Sequence, residues 1–204
     1  CVIALTPEAK DIGVKMGDPW HLVRQKPALK HVVWRSSNYA LYGDMSRRMY
    51  EVLCELAPRV EPYSIDEMFL DFTGLEDIEV LARAIRARVR QVAKIPTCVG
   101  IGPTKTIAKL ANRVAKADRD GSGVCDFSDP MVREAAYDQL LVGQVWGLAG
   151  ASVAKLEKLN AATVADFIAL PQETVRKTLT VTGLRTRAEL RGVSCLPLSL
   201  AAPT

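Results

Sequence analysis

The chain has 204 residues, 49% apolar and 25% charged, with a formal net charge of +4; this is ordinary globular composition and excludes disordered, collagenous and fibrous classes. Five cysteines at positions 1, 54, 98, 125 and 195 make no CxxC pair and have only His21 and His31 for company, so neither a disulfide scaffold nor structural zinc is expected, and the thiols suit a reducing cytoplasm. The longest uncharged run, Gln139 to Ala154, is 16 residues with three glycines, short of the roughly 20 apolar residues of a membrane helix; a soluble protein without a membrane partner is expected.

In chain order, Val2 to Leu5 reads as a short strand, and Thr6 followed by Pro7 starts a helix of one or two turns that Gly13 ends. Asp18-Pro19 repeats the cap-and-proline signal, and Val32 to Trp34 reads as a second strand. Ser37 or Asn38 caps a long helix whose apolar positions Tyr42, Met45, Met49, Val52, Leu53 and Leu56 keep helical spacing until Pro58. Val60 to Phe72 has strand chemistry, with Met68, Leu70 and Phe72 on one face and Phe69 and Asp71 on the other. A second amphipathic helix runs from Ile78 to Val92, and Thr97 to Ile101 is a strand closed by Gly102-Pro103. If Val60 to Phe72 folds back as a hairpin, the order is β-α-β-β-α-β, so an α+β fold with a ferredoxin-like split βαβ sheet is expected. A third helix follows Thr104, Val124 to Phe127 is a strand, and Asp129-Pro130 opens another helix. From Leu141 onward only short helices separated by glycine, proline or Asn160 are predicted, which places a domain boundary there. Cys54 and Cys98 are expected in the core.

Charge is unevenly distributed. Val80 to Ala117 holds nine basic residues and no acid, leaving −5 for the rest of the chain. Such a block is the footprint expected of a polyanion partner or of a solvated helix surface. Within it Lys105, Lys109, Asn112 and Lys116 recur at helical spacing and form a ladder of donors on one helix side. Gly100 and Gly102 just before this helix would let phosphate approach backbone N–H groups. Neither a Walker motif nor GxGxxG is present.

Two further features bear on chemistry. Tyr63-Ser64-Ile65-Asp66-Glu67 places adjacent carboxylates inside an apolar β segment, where a divalent cation would offset their hydration loss; both reach one metal only if the chain turns or bulges there. An exposed hairpin tip is the alternative reading. Val145 to Gly150, followed by helices to Leu159 and from Val164, has the form of a helix-hairpin-helix, whose turn amides hold a DNA phosphate, or of a plain helical hairpin.

The ordered motifs Ser37-Asn38-Tyr39, Pro58-Arg59-Val60-Glu61, Tyr63-Ser64-Ile65-Asp66-Glu67 with Asp71, Val99-Gly100-Ile101-Gly102 with Lys105, Ala108-Lys109-Leu110-Ala111-Asn112 and Ala115-Lys116 resemble the Y-family translesion DNA polymerases across the whole chain. Gly13 to Trp20 and Glu189-Leu190-Arg191-Gly192 with Cys195 look more like the polymerase V catalytic subunit (UmuC type) than the polymerase IV type. The resemblance implies a fingers remnant at 1–35, a palm at 36–141 and a helix-hairpin-helix thumb at 142–204. It implies that Asp66 and Glu67 are catalytic carboxylates binding two Mg²⁺ ions, and that Lys116 and Lys10 contact the dNTP. Lys105, Lys109, Gly147, Ala149 and Gly150 would contact primer-template DNA. Lys10 stands where many members have Arg, Pro7 where many have Tyr, and Ala149 replaces the second glycine of the hairpin turn. A further metal-binding Asp and a sugar-excluding aromatic would precede Cys1, and a little finger would follow Thr204, so an internal piece of a longer polymerase, inactive alone, is expected. UmuD-type subunits, a recombinase filament and a sliding clamp are the implied protein partners. A non-catalytic DNA-binding module and a two-metal cyclase-like enzyme are the competing functions.

Overall fold

The computed structural model describes residues 1–118 and 121–199. The chain divides into two compact units, Cys1–Asp44 and Met45–Thr204.

In the first unit, helix α1 (Pro7–Asp11) starts as the sequence predicts, with the Thr6 hydroxyl accepting a hydrogen bond from Ala9 N at 3.3 Å. Helix α2 (Trp20–Val23) does not use Asp18 as its cap. Pro19 holds that position, and the Asp18 carboxylate closes its own turn by accepting from Lys15 N at 2.9 Å. The strands expected at Val2 to Leu5 and Val32 to Trp34 do not form. Val2 instead donates to Asp18 O and accepts from Gly17 N, while Val33 and Trp34 stay exposed, the indole lying 5.9 Å from the Trp20 ring. An apolar run becomes a strand only where another strand edge satisfies its amides. Val14, Val23 and Leu29 make the unit's small core.

Helix α3 (Tyr39–Leu56) contains the boundary between the units and is capped by Asn38, whose Oδ1 accepts from Leu41 N at 3.0 Å. It buries Met49, Val52 and Leu53. Cys54, expected in the core, is exposed, because one residue beyond Leu53 turns the side chain about 100° off the apolar stripe.

The second unit continues with strands β1 (Arg59–Pro62) and β2 (Met68–Asp71), an antiparallel hairpin in which Glu61 faces Phe69 and Arg59 faces Asp71. Alternation puts Met68, Leu70 and Phe72 against Met49, Val52, Ile85 and Val89, the last two from helix α4 (Ile78–Ala93). Strand β3 (Val99–Ile101), helix α5 (Lys105–Ala117) and strand β4 (Val124–Asp126) form a parallel β-α-β crossover. Among the described residues the strands make two separate two-stranded sheets rather than the single sheet predicted.

Gly100 explains how close β3 and α5 lie. A Cβ there would sit 2.0 Å from Asn112 N and 2.1 Å from Ala108 O, and one on Gly102 would sit 2.4 Å from Ile107 Cγ2. These glycines serve strand-on-helix packing, not the approach of a phosphate that the sequence suggested.

The remaining elements are helices α6 (Pro130–Tyr137), α7 (Ala151–Glu157), α8 (Val164–Ala169) and α9 (Gln172–Leu190), with a 3₁₀ turn at Val142–Gln144 and a break in α9 at Thr180. One apolar cluster joins Ile107 and Leu110 of α5 with Phe127, Tyr137, Val142, Leu156, Phe167 and Leu190. The core therefore runs through the boundary predicted near residue 141. Burial pushes the Tyr137 hydroxyl up to about 12, so it stays a donor, to Leu190 O at 3.1 Å.

Glu189 closes this assembly. Its side chain is fully buried, yet it forms no ion pair among the described residues. The carboxylate instead accepts from Thr106 N in the first turn of α5 at 3.1 Å, from Cys195 N at 2.5 Å and from Leu196 N at 3.1 Å, while its main-chain carbonyl accepts from the Thr104 hydroxyl at 3.0 Å. A buried carboxylate loses several kcal/mol of hydration, offset here by three N–H donors and the positive end of a helix.

Two outcomes are expected. Glu189→Gln presents an amide N–H₂ to N–H donors and should cost about 2–4 kcal/mol, and Gly100→Ala about 1–3 kcal/mol or more, read as lowered urea midpoints. Asp71 accepts from Thr73 N at 2.9 Å and pairs across the hairpin with Arg59. The Thr73 hydrogen bonds foremost, then Arg59, hold its carboxyl below the ordinary 3.8. A depressed folded value stabilises the fold above the unfolded value and loses that stabilisation as pH falls through the folded one. Asp71→Asn should therefore lower the urea midpoint at pH 7, and the difference should shrink as pH falls below the ordinary 3.8.

Candidate active site

The hairpin tip is a turn, as shared use of the two acids requires. Tyr63 N and Ser64 N both donate to Glu67 O at 3.0 Å, so residues 64–66 loop out of the ladder. The Ser64 hydroxyl donates to Asp66 Oδ1 at 2.9 Å. Asp66 is exposed and Glu67 half-buried, and Asp66 Oδ2 accepts no hydrogen bond from a described residue.

The lysine ladder of α5 is not the solvated face that its spacing suggested. Lys105 Nζ lies 2.5 Å from Glu61 Oε2, with side chains only 11% and 10% exposed, and also donates to Pro197 O at 2.9 Å. One helical turn on, Lys109 Nζ lies 2.8 Å from Glu67 Oε2. Asn112 turns inward and donates to Cys98 O at 2.7 Å. Two of the lysines expected at a DNA backbone thus face hairpin carboxylates. Lys116 alone of the ladder is exposed and without an ion pair among the described residues, seven residues or about 10 Å of helix axis beyond Lys109. Lys10 belongs to α1 of the first unit and is exposed.

Around the ion pairs stands an aromatic group that sequence reasoning missed. The Tyr63 ring lies 5.6 Å from Phe69 and 5.2 Å edge-on from Trp146, and the indole N–H donates to the Tyr63 hydroxyl at 3.1 Å. Lys109 Nζ is 4.4 Å from the Tyr63 ring centre and 5.1 Å from that of Trp146; Lys105 Nζ is 5.0 Å from that of Phe69. Ring faces attract ammonium groups and shield them from water. A signal for Glu61 was available: an acid in an otherwise apolar strand, opposite Phe69, calls for a buried cation. Trp146 gave none, since 77 residues separate it from Phe69.

Just beyond Trp146, Gly147 and Gly150 have φ of +85° and +47°, with open space where a Cβ would be. They are needed for backbone conformation rather than for close packing. Ala149 between them is exposed, and Leu148 is buried and anchors the turn. Asn160 adopts the left-handed conformation, φ +56°, which Asn tolerates better than most residues, and ends the first arm of the hairpin.

The donor set suits a small divalent cation in part. Mg²⁺ usually takes one or two carboxylates and completes its shell with water and substrate phosphate, and Asp66 and Glu67 supply two. Among the described residues no group of three or more His, Cys, Asp or Glu side chains is placed to hold a metal. No helix is long and apolar enough to cross a membrane among them.

Comparisons agree with this architecture. Residues 1–113 match the profile of the impB/mucB/samB family. The chain is 41% identical to Protein UmuC of Salmonella typhimurium over 207 residues, covering all of this chain and 49% of that protein. It is 40% identical to Protein ImpB of the same species over 210 residues with the same coverage, and 32% identical to a DNA polymerase IV of Moorella thermoacetica over 203 residues, 97% of this chain and 49% of the relative. The chain thus spans about half the length of the curated relatives it matches. The fold is similar to that of an insertion ternary complex of Dbh DNA polymerase, with a TM-score of 0.81 at 23% identity over 95% of this chain and 56% of that one. It is also similar to that of a DinB family error prone DNA polymerase from Sulfolobus solfataricus, with a TM-score of 0.78 at 22% identity over 98% and 60%. An acidic turn beside a lysine helix, a glycine hairpin packed on the same core, and sequence kinship along the full chain have one common source: the chain belongs to the impB/mucB/samB family.

Proposed function

We propose that this chain is part of a Y-family translesion DNA polymerase of UmuC type, whose parent protein extends a primer from dNTPs opposite damaged template. The observation that carries this is the Asp66–Glu67 turn, held at the tip of the β1–β2 hairpin beside α5 in a chain of this family. Asp66 and Glu67 would hold Mg²⁺, which when bound activates the primer 3′-hydroxyl and neutralises the triphosphate. Lys116, exposed and without an ion pair among the described residues, would meet the triphosphate, and Lys10 would add charge from the first unit. With Lys105 and Lys109 directed at Glu61 and Glu67, duplex backbone contact falls to the turn Gly147, Ala149 and Gly150, whose amides carry no sequence information.

The spans follow from this reading: fingers at 1–35, palm at 36–141, thumb at 142–204, the last five residues lying outside the described ones. The apolar cluster common to residues 107–137 and 142–190 supports a thumb seated on its palm. A cytoplasmic location, and partnership with UmuD-type subunits, a recombinase filament and a sliding clamp, belong to the same reading.

Primer extension by the full-length parent tests it. Asp66→Ala and Glu67→Ala should each lower kcat at least 100-fold while changing DNA affinity less than about threefold, because the metals act mainly on the transition state. Wild-type Mg²⁺-dependent extension by either variant would refute the assignment. Ala149→Gly should leave kcat unchanged and tighten duplex binding by about twofold, measured by fluorescence anisotropy, since a glycine exposes the turn amides more fully.

A further inference from the structure

Lys109 has three neighbours that together define a role. Its ammonium is 2.8 Å from Glu67 Oε2, 4.4 Å from the Tyr63 ring centre and 5.1 Å from the Trp146 ring centre. The Lys109 side chain is 19% exposed against 36% for Glu67, so the cation is the more shielded partner of the pair. It cannot drift far into water, because the rings that cover it are tied to each other by the Trp146–Tyr63 hydrogen bond, and Lys109 rises from α5, which is fixed by the Glu189 carboxylate at its first turn.

We propose that Lys109 is a positioning residue, an internal counter-cation that aims the Glu67 carboxylate and competes with a divalent metal ion for it, so that Lys109 sets how tightly the metal is held. The inference rests on the reading of Asp66 and Glu67 as metal ligands. A carboxylate shared with a fixed ammonium gives up part of its negative charge to that ammonium, and a metal ion arriving at the same oxygens meets like-charge repulsion as well as a weakened ligand. Lys105 does not share this role, being directed to Glu61, whose Oε2 also accepts from Ser199 N at 2.6 Å. The arrangement also predicts which carboxylate is affected. Among the described residues Asp66 is bound by the Ser64 hydroxyl and its own turn alone, so Lys109 acts through Glu67.

The test is Mn²⁺ binding to the protein in the absence of DNA and nucleotide, followed by loss of the free-ion electron paramagnetic resonance signal. Lys109→Met keeps the apolar stem and removes the charge; it should bind Mn²⁺ about tenfold more tightly than wild type, whereas Lys109→Arg, which keeps the charge, should stay within about twofold. Unchanged or weaker Mn²⁺ binding by a folded Lys109→Met overturns the inference, as does Arg binding as tightly as Met. If Lys109→Met loses its circular dichroism signature, Lys109→Gln is measured in its place; unfolding of both overturns the inference by showing the pair to be a structural tie. Asp66→Asn and Glu67→Gln separate the two levels. Wild-type Mn²⁺ affinity in both refutes the metal reading itself, and reduced affinity there with no tightening in Lys109→Met refutes only the role of Lys109.

Discussion

A single buried carboxylate holds the second unit in register. Glu189 reaches from the end of α9 to the first turn of α5 and to the chain at Cys195 and Leu196. The helix N-terminus that a basic, glycine-preceded sequence offers to an external phosphate is thus already occupied by an internal anion. Because α5 carries both lysines that meet the hairpin acids, the position of the acidic turn depends on this contact. Buried charges without a cation are rare and succeed only when their oxygens are filled by donors; here backbone amides from two separate segments fill them.

Charge compensation extends outward from there. Glu61 with Lys105 and Glu67 with Lys109 convert part of the +9 block into internal pairs between the β1–β2 hairpin and α5. Net charge counted along a sequence overstates what a partner meets, because it cannot tell which side chains are already matched. Among the described residues, the exposed cations of the block that lack an ion pair are Arg90 and Lys94 near the end of α4 and Arg113 and Lys116 toward the C-terminal end of α5. Aromatic side chains from the hairpin and from the start of the helical tail cover the inner pairs, so the parts proposed as palm and thumb share a polar-aromatic contact as well as an apolar core.

Much of this was legible in the sequence. Helical spacing located α3, α4 and α5, and Thr104 and Asp129 mark starts that the structure uses as caps. Alternation of Met68, Leu70 and Phe72 gave the correct buried face of β2, and the adjacent acids pointed to a turn. What failed did so for tertiary reasons. Val2 to Leu5 and Val32 to Trp34 have strand-forming residues but no edge to pair with among the described residues. Cys54 sits one residue off its stripe. The glycines before α5 were assigned to a ligand, although their purpose is contact with the helix that follows them. Trp146 and Glu189 carried no local signal, since their partners lie 83 residues away at Tyr63 and Thr106 respectively.

The absence of a side chain at Gly100 has a mechanical meaning. With Asn112 N and Ala108 O so near its Cα, no layer of flexible side chains separates β3 from α5, and the two backbones cannot slide past each other. Strand and helix must travel as one rigid piece. Adjustment at the acidic turn is therefore left to residues 64–66, which short polar links restrain, while Tyr63 and Glu67 on either side are tied to Trp146 and Lys109.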